Sequence, residues 1–392
     1  MSYRKALLKK RCELIGMFPF VLLGKLCGII FRLRTKHRHF LFFSNADIGG
    51  SIKVNAEITE CIANEKPLVI FCKKPKNNKF LSLFEQHGVR IMDLHKYIDN
   101  KLFHFVNFFF RGVISSWINE VKMPVVFGGE CIYFYKIIPH VKKETKTVEL
   151  CHLNTWLAFS LGFIDDIDFR IFSTPKIKRD VERQYFANNL PKSYYDKLMF
   201  IDNKIDIPPL EIKPYSGTLR ILYVGRGAPQ KRVYLIAAIA KQMHEENLPV
   251  LFEFVGDVEQ IIPEDVKRYC SLYGQITDVN ELHKVYSNAN VLILTSAYEG
   301  LPLVVMDMMA RGKVILSTDV DGIPDYITNN VNGLLITEKE EDKIVAQGVE
   351  LLKMLINHPN KIDELGMNAY SFAQNHFSKE VFDNAYKKLL SH

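Results

Sequence analysis

Thr295-Ser296-Ala297-Tyr298-Glu299-Gly300-Leu301-Pro302-Leu303-Val304-Val305-Met306-Asp307-Met308-Met309-Ala310-Arg311-Gly312 is the stretch whose reading decides the fold of this chain. An apolar strand over Asn290–Thr295 delivers an acid, Glu299, into a turn. Pro302 falls at the expected first position of a helix over Leu301–Arg311, where its fixed φ suits a helix start and its missing N–H costs nothing. Asp307, a second acid eight residues after the first, lies on that helix. A helix start presents free N–H groups and positive dipole character to anions, and a carboxylate beside it holds sugar hydroxyls. The segment reads either as an ordinary strand–helix turn or as a grip for something part phosphate and part polyol.

Outward from this stretch, strands and helices alternate. Strands are expected at Leu219–Val224, Val250–Val255, Val291–Thr295, Val314–Ser317 and Gly333–Ile336. Helices are expected near Arg232–Glu246, Pro263–Cys270, Val279–Ser287 and Lys339–Asn357. Upstream, His39–Ser44, Pro67–Cys72, Arg90–Leu94, Pro124–Phe127, Thr147–Cys151 and Arg170–Ser173 are short apolar strand patterns, most of them separated by helical stretches such as Ile52–Ala63. Such alternation is that of parallel sheets. Ile207–Gly217 is proline-rich and lacks either periodicity, which makes it the linker candidate. The chain therefore divides into a preamble 1–38, a domain 39–206, a linker 207–217, a domain 218–371 and a terminal helical segment 372–392. The fold class is α/β, two doubly wound Rossmann-like domains facing a cleft, with ligands expected beyond the strand C-termini.

The first strand of the second half ends Val224-Gly225-Arg226-Gly227-Ala228-Pro229-Gln230-Lys231. Gln230 occupies the third glycine position of a dinucleotide fingerprint, which argues against a dehydrogenase. The loop supplies instead a guanidinium and an ammonium five residues apart. Such a pair clamps linked phosphates, the first as a planar fork and the second as a point charge; the bland alternative is a solvated basic turn.

With Gly225-Arg226, Lys231, Glu299 and Asp307 in this order, the second half resembles the retaining glycosyltransferases of the GT-B fold, family 4 (group 1), which transfer sugars from nucleotide diphosphates. The resemblance implies that Arg226 and Lys231 neutralise the donor diphosphate and that Glu299 accepts from donor-sugar hydroxyls. It further implies that Gly225 and the backbone of Gly300, Leu301, Pro302 and Leu303 meet sugar and phosphate, that Asp307 takes the ribose, and that the base lies near Ile276. Asp307 departs from the family's usual glutamate by one methylene. The first half matches more faintly: Gly49-Gly50-Ser51 stands where the family has its glycine-rich turn, and His152 ends a strand that often carries a histidine near the reacting sugar. In Asn203-Lys204-Ile205-Asp206, Lys204 replaces the glycine of the family's Asn-Gly-x-Asp. The resemblance implies no metal and no cofactor beyond the nucleotide-sugar substrate. Rival readings are a catalytically silent GT-B protein that binds sugar nucleotide or scaffolds an assembly complex, and a GT-B nucleotide-sugar epimerase.

Composition is compatible with this. The chain has 392 residues, 48% hydrophobic and 24% charged, with a net charge of +7, long enough for two cores and without signs of disorder. Its basic surplus is local: ten Lys/Arg residues lie between Arg4 and Arg38 against one acid, Glu13. No helix-turn-helix, zinc-finger or RNP pattern supports nucleic acid as the anionic partner. Seven cysteines, none in a C-x-x-C pair, fit reduced thiols in the cytoplasm. Leu14–Phe31 is apolar between basic flanks but interrupted by Pro19, Gly24 and Lys25. It suits a segment lying on an anionic membrane, with a spanning helix, a signal peptide or a plain packed helix as alternatives. Phe103–Trp117 is a second aromatic-rich stretch, either core or part of the same surface. The expected protein is a peripheral, cytoplasmic-face enzyme that moves a sugar from a nucleotide-diphosphate donor to a glycan or lipid-linked acceptor in polysaccharide, lipopolysaccharide or glycolipid assembly. Donor sugar, base, acceptor and oligomeric state are not encoded in these patterns.

Overall fold

The structure, a computed structural model, describes residues 2–47, 49–99, 104–152, 157–211, 215–276, 278–299 and 302–391. Chain contacts divide it into two units, Met1–Asn203 with Asp383–His392, and Lys204–Phe382. Each contains one wholly parallel sheet.

In the first unit the strands are β1 (His39–Phe43), β2 (Leu68–Phe71), β3 (Arg90–Asp93), β4 (Val125–Gly129), β5 (Lys146–Cys151), β6 (Phe169–Phe172) and β7 (Leu198–Phe200). They lie in the order β3-β2-β1-β4-β5-β6-β7. Strands covered on both faces read as unbroken apolar runs, and His-Phe-Leu-Phe-Phe and Leu-Val-Ile-Phe are buried at every position. Each fully buried Phe, Leu or Ile among them contributes roughly 2–3 kcal/mol of transfer free energy. The second unit contains β8 (Leu219–Val224), β9 (Val250–Val255), β10 (Cys270–Leu272), β11 (Val291–Leu294), β12 (Val314–Thr318) and β13 (Leu334–Ile336). Their order is β10-β9-β8-β11-β12-β13. Both orders run outward from a central pair, so strand order reverses between β1 and β4 and between β8 and β11. Ligands of open α/β sheets bind at such reversals, beyond the strand C-termini.

Several elements differ from the sequence expectation. Cys270 opens β10 instead of closing a helix, and that helix shrinks to Glu264–Lys267. Pro302 precedes the Leu303–Met309 helix at its cap, with φ −64° and ψ 135°. Its φ is compatible with the helix but its extended ψ keeps it outside. The segment expected as one helix over 372–392 breaks at Ser378 into Asn360–Phe377 and Lys379–Leu390. The proline-rich stretch is pinned to the second unit: Tyr370 Oη donates to Pro208 O at 3.0 Å, and a Cβ at Gly312 would meet Leu210 at 2.5 Å. The N-terminal preamble forms an unbroken helix, Tyr3–Ile30, despite Pro19.

Candidate active site

The second unit gathers the donor candidates at the C-terminal ends of β8 and β11. After β8 the chain makes a tight loop whose glycines are required by contact. Gly225 N donates to Val255 O and Gly227 N to Asp257 O, each at 3.0 Å. A Cβ at Gly227 would stand 2.3 Å from Asp257 O, and one at Gly256, whose φ is +123°, 2.0 Å from Gly225 O. Gly256 N in turn donates to Gly274 O at 2.7 Å. This stacking sets the turn before half-buried Ile276 beside the β8 loop. Tyr223, buried at the end of β8, donates its hydroxyl to Arg226 O at 2.9 Å from beneath the loop. Burial pushes its hydroxyl pKa up, and the negative charge of Glu299 adds to the shift while Arg226 opposes it.

The loop then turns through Pro229–Lys231, and Arg232 adopts φ 47° before the helix Val233–Glu245. Here it is laced to the segment after β11. Arg232 donates to Thr295 O at 2.7 Å and Ser296 O at 3.0 Å, Gln230 donates to Tyr298 O at 2.8 Å, and Ala297 N donates to Gln230 O at 2.8 Å. The lacing delivers the Lys231 ammonium onto Glu299 Oε1 as an ion pair. Ser296 Oγ donates to the same carboxylate oxygen at 2.6 Å. Glu299 is 8% exposed, whereas Arg226 is exposed and its guanidinium has no ion-pair partner among the described residues. The site thus joins the Lys231 ammonium of the β8 loop to the Glu299 carboxylate after β11, while the β8 loop also presents the exposed Arg226 guanidinium.

Asp307 lies half-buried on the Leu303–Met309 helix, 3.6 Å from Arg311 Nη1. Arg311 also lies over the Tyr286 ring at 5.4 Å. Burial, reinforced by Asp307 and opposed by Arg311, pushes the Tyr286 hydroxyl up to about 12. The Asp307 carboxylate is therefore part of a small intramolecular network. Pro302 and Leu303 flank this helix start; Gly300 and Leu301 lie outside the described residues.

In the first unit Gly49 is extended (φ 169°) and Gly50 and Ser51 open the helix Gly50–Cys61 at the β1 end. Preceding them, Asp47 accepts from the backbone N–H groups of Lys76, Asn77 and Asn78 at 2.8–3.0 Å. His152 follows β5, and its backbone N–H donates to Glu130 Oε1 at 2.8 Å. Its Nε2 is buried without a partner among the described residues, and burial pulls the imidazole down to about 4. It is accordingly neutral near pH 7.

Two groups of residues escape the sequence patterns. Arg232, Ser296 and Tyr223 hold the loop and the ion pair, but the contacts of Arg232 span more than sixty residues and leave no local signature. A cavity of about 260 Å³ also opens in the first unit at the ends of β1, β2 and β4, lined among others by Ser44, Lys73, Asn107, Arg111, Glu130 and Lys136. Position at a strand end is the available signal for Ser44 and Glu130. Among the described residues no cluster of three His, Cys, Asp or Glu side chains is arranged to hold a metal ion.

Two sheets of this topology define the GT-B class of glycosyltransferase fold. Residues 218–354, within the second unit, match the family model of glycosyl transferases group 1. An uncharacterized glycosyltransferase of Methanocaldococcus jannaschii is 31% identical over 217 residues, covering 54% of this chain and 53% of that protein. The UDP-Gal:alpha-D-GlcNAc-diphosphoundecaprenol alpha-1,3-galactosyltransferase of Escherichia coli is 27% identical over 136 residues, 31% of this chain and 33% of that one. The apo lipopolysaccharide outer core galactosyltransferase WaaB superposes with a TM-score of 0.66 at 18% identity, over 89% of this chain and 99% of that one. The chain spans about half the length of the first curated relatives it matches.

Proposed function

We propose that this protein is a retaining glycosyltransferase that moves a sugar from a nucleotide-diphosphate donor to a glycan or lipid-linked acceptor at the cytoplasmic face of a membrane, in the assembly of a cell-surface polysaccharide or glycolipid. The observation that carries the reading is the Lys231–Glu299 pair at the β8/β11 reversal. An ammonium aimed at a site where phosphate charge develops, beside a carboxylate that accepts sugar hydroxyls, matches the two halves of a nucleotide sugar. The named galactosyltransferases among its relatives favour a UDP-linked hexose and a lipid-linked or lipopolysaccharide acceptor.

In the proposed reaction the acceptor oxygen bonds to the anomeric carbon on the face from which the diphosphate departs. The bond between that carbon and the phosphate oxygen breaks, and the leaving phosphate oxygen takes the acceptor's proton. Nothing is oxidised or reduced, and no enzyme nucleophile is consumed. Arg226 and Lys231 stabilise the charge that builds on the leaving diphosphate, the main source of rate acceleration in a preorganised site. Lys231 comes to the donor already oriented, because Glu299 and the Arg232 lacing fix it. Neutral His152 is assigned, through the family resemblance, as a hydrogen-bonding group for the sugar. Asp307 receives the ribose by exchanging part of its contact with Arg311.

Protection against thermal unfolding by a panel of nucleotide sugars identifies the donor, since a ligand that binds only the folded state stabilises it by mass action. Transfer or slow hydrolysis of the protecting donor, lost in Lys231→Ala and Glu299→Ala, is the expected result. Protection without turnover in the native protein would leave a sugar-nucleotide binder and overturn the enzyme.

A further inference from the structure

The Tyr3–Ile30 helix has two unlike sides. Its inner side is held along most of its length. Ala6, Lys10, Met17, Val21, Gly24 and Gly28 are buried, and Lys10 ion-pairs with Asp166. Against the helix His104–Asn119 the approach is backbone to backbone: a Cβ at Gly24 would stand 2.0 Å from Phe109 O, and one at Gly112 2.1 Å from Val21 O. Small residues spaced by four on both helices, Gly24/Gly28 and Gly112/Ser116, make this crossing possible.

The outer side is different. Ile15 (76% exposed), Phe18 (61%), Leu22 (46%), Leu26 (53%) and Ile29 (49%) recur every three or four residues, one stripe on the side away from the glycines. Phe105 of the neighbouring helix, 49% exposed, packs 6.2 Å from Phe20, whose two-residue offset from Phe18 and Leu22 puts it on a different flank of the helix from this stripe. The charged side chains between residues 12 and 31, Glu13 and Lys25, are both half-buried. Both ends of the stripe are basic and exposed: Arg4, Lys5, Lys9 and Arg11 at one, Arg32, Arg34 and Lys36 at the other. The sole acid of the helix, Glu13, is engaged by Arg111 at 3.0 Å and Lys136 at 2.6 Å. The cationic ends are therefore not offset by that carboxylate.

By length and composition alone the helix is apolar enough to cross a membrane. Crossing, however, would strip its glycine face from the globular unit and take the Lys10–Asp166 pair apart. An apolar stripe bounded by cations on a fixed helix is instead the pattern of an interfacial element. We propose that the outer face of Tyr3–Ile30 seats the protein in the plane of an anionic lipid surface, with the stripe at the acyl boundary and the basic ends on headgroup phosphates. This deepens the reading of a lipid-linked acceptor, from which it takes its purpose, while standing on separate residues.

The test is flotation of the full chain with vesicles of phosphatidylcholine alone or mixed with phosphatidylglycerol. Binding is expected to the anionic vesicles and to weaken as salt rises. The combined change Phe18→Ser, Leu22→Ser and Leu26→Ser is expected to lower the bound fraction at least about tenfold, because the buried apolar area sets the strength of such binding. Arg4→Glu with Arg11→Glu should abolish the preference for phosphatidylglycerol. Melting temperature and protection by nucleotide sugar, measured on the same variants, should match the native chain. Flotation of the triple-serine variant like the native chain would overturn the proposal. So would failure of the native chain to bind vesicles while self-associating through this face, or retention in membranes after alkaline carbonate extraction, which marks a spanning helix. Flotation that behaves as expected in a protein no nucleotide sugar protects would leave this proposal standing and remove the transferase.

Discussion

Lys231 and Glu299 are worth more as a pair than as two residues, because each fixes the other before any donor arrives. Truncating either group is expected to remove about 2–4 kcal/mol of transition-state stabilisation, a fall in donor-dependent kcat/KM of roughly 30- to 1,000-fold. The two truncations should differ in stability. Lys231→Ala leaves a carboxylate that is 8% exposed with the Ser296 hydroxyl and no cation, whereas Glu299→Gln removes the charge and keeps an acceptor for Ser296. Chemical denaturation should therefore show Lys231→Ala to be the less stable protein, with a double-mutant cycle reporting a favourable coupling. Asp307 is bound already to Arg311 at 3.6 Å and should behave differently. Asp307→Ala is expected to raise the donor KM roughly 10- to 150-fold, the range of a hydrogen bond to a charged group, while leaving kcat near native. A collapse of kcat in Asp307→Ala would move this residue from ribose binding into the chemistry.

At the scale of elements, helix Tyr3–Ile30 contains glycines of opposite kind. Gly24 has its missing Cβ pointed at a backbone carbonyl, and the facing Gly112 likewise, while Gly16 has nothing within 4 Å. Gly112→Ala must push two helices apart and is expected to cost about 1–3 kcal/mol. Gly16→Ala should stabilise by up to about 1 kcal/mol through helix propensity. Urea unfolding followed by circular dichroism reads both signs, and equal effects would mean the helix is not packed as described. The same contrast explains what the sequence discloses. Central strands are legible because burial on both faces leaves unbroken apolar runs such as Val-Leu-Ile-Leu in β11. The short edge strands β7 and β10 escape notice, since Leu-Met-Phe and Cys-Ser-Leu have only partial burial to announce them. Lys231 and Glu299 stand out by residue type at strand ends. What ties them together, Arg232 on the carbonyls of Thr295 and Ser296, joins positions more than sixty residues apart, and short-range patterns carry no trace of such a contact.

For the whole molecule, the two units should answer acid differently. The chain passes between them twice, at Asn203/Lys204 and Phe382/Asp383, and its last residues stay with the first unit: Tyr386, Leu389 and Leu390 are buried there, and Leu390 O meets His39 Nε2 at 3.0 Å. That unit also holds His140 and His152, both pulled down to about 4 chiefly by burial, with Arg111 and Lys25 adding repulsion at His140. An unfolded histidine titrates near 6.5. Above that pH neither state is protonated and the two groups cost nothing. As pH falls from about 6.5 toward 4 the unfolded chain takes up protons that the native unit refuses, so stability is lost, and below about 4 the loss levels off. The penalty amounts to at most about 3.4 kcal/mol for each histidine, reduced by solvent that reaches the rings. The donor candidates Arg226, Lys231 and Glu299 all belong to the second unit, so a protecting nucleotide sugar should raise chiefly the transition of that unit. Calorimetry at pH 7.5 and pH 5 is therefore expected to show one transition moving to lower temperature in acid and a second that responds to the nucleotide sugar. His140→Asn with His152→Gln should flatten the acid response of the first transition between pH 6.5 and 5. An acid response unchanged in that double variant would place the titrating groups elsewhere and return His152 to the charged state that its burial here denies it.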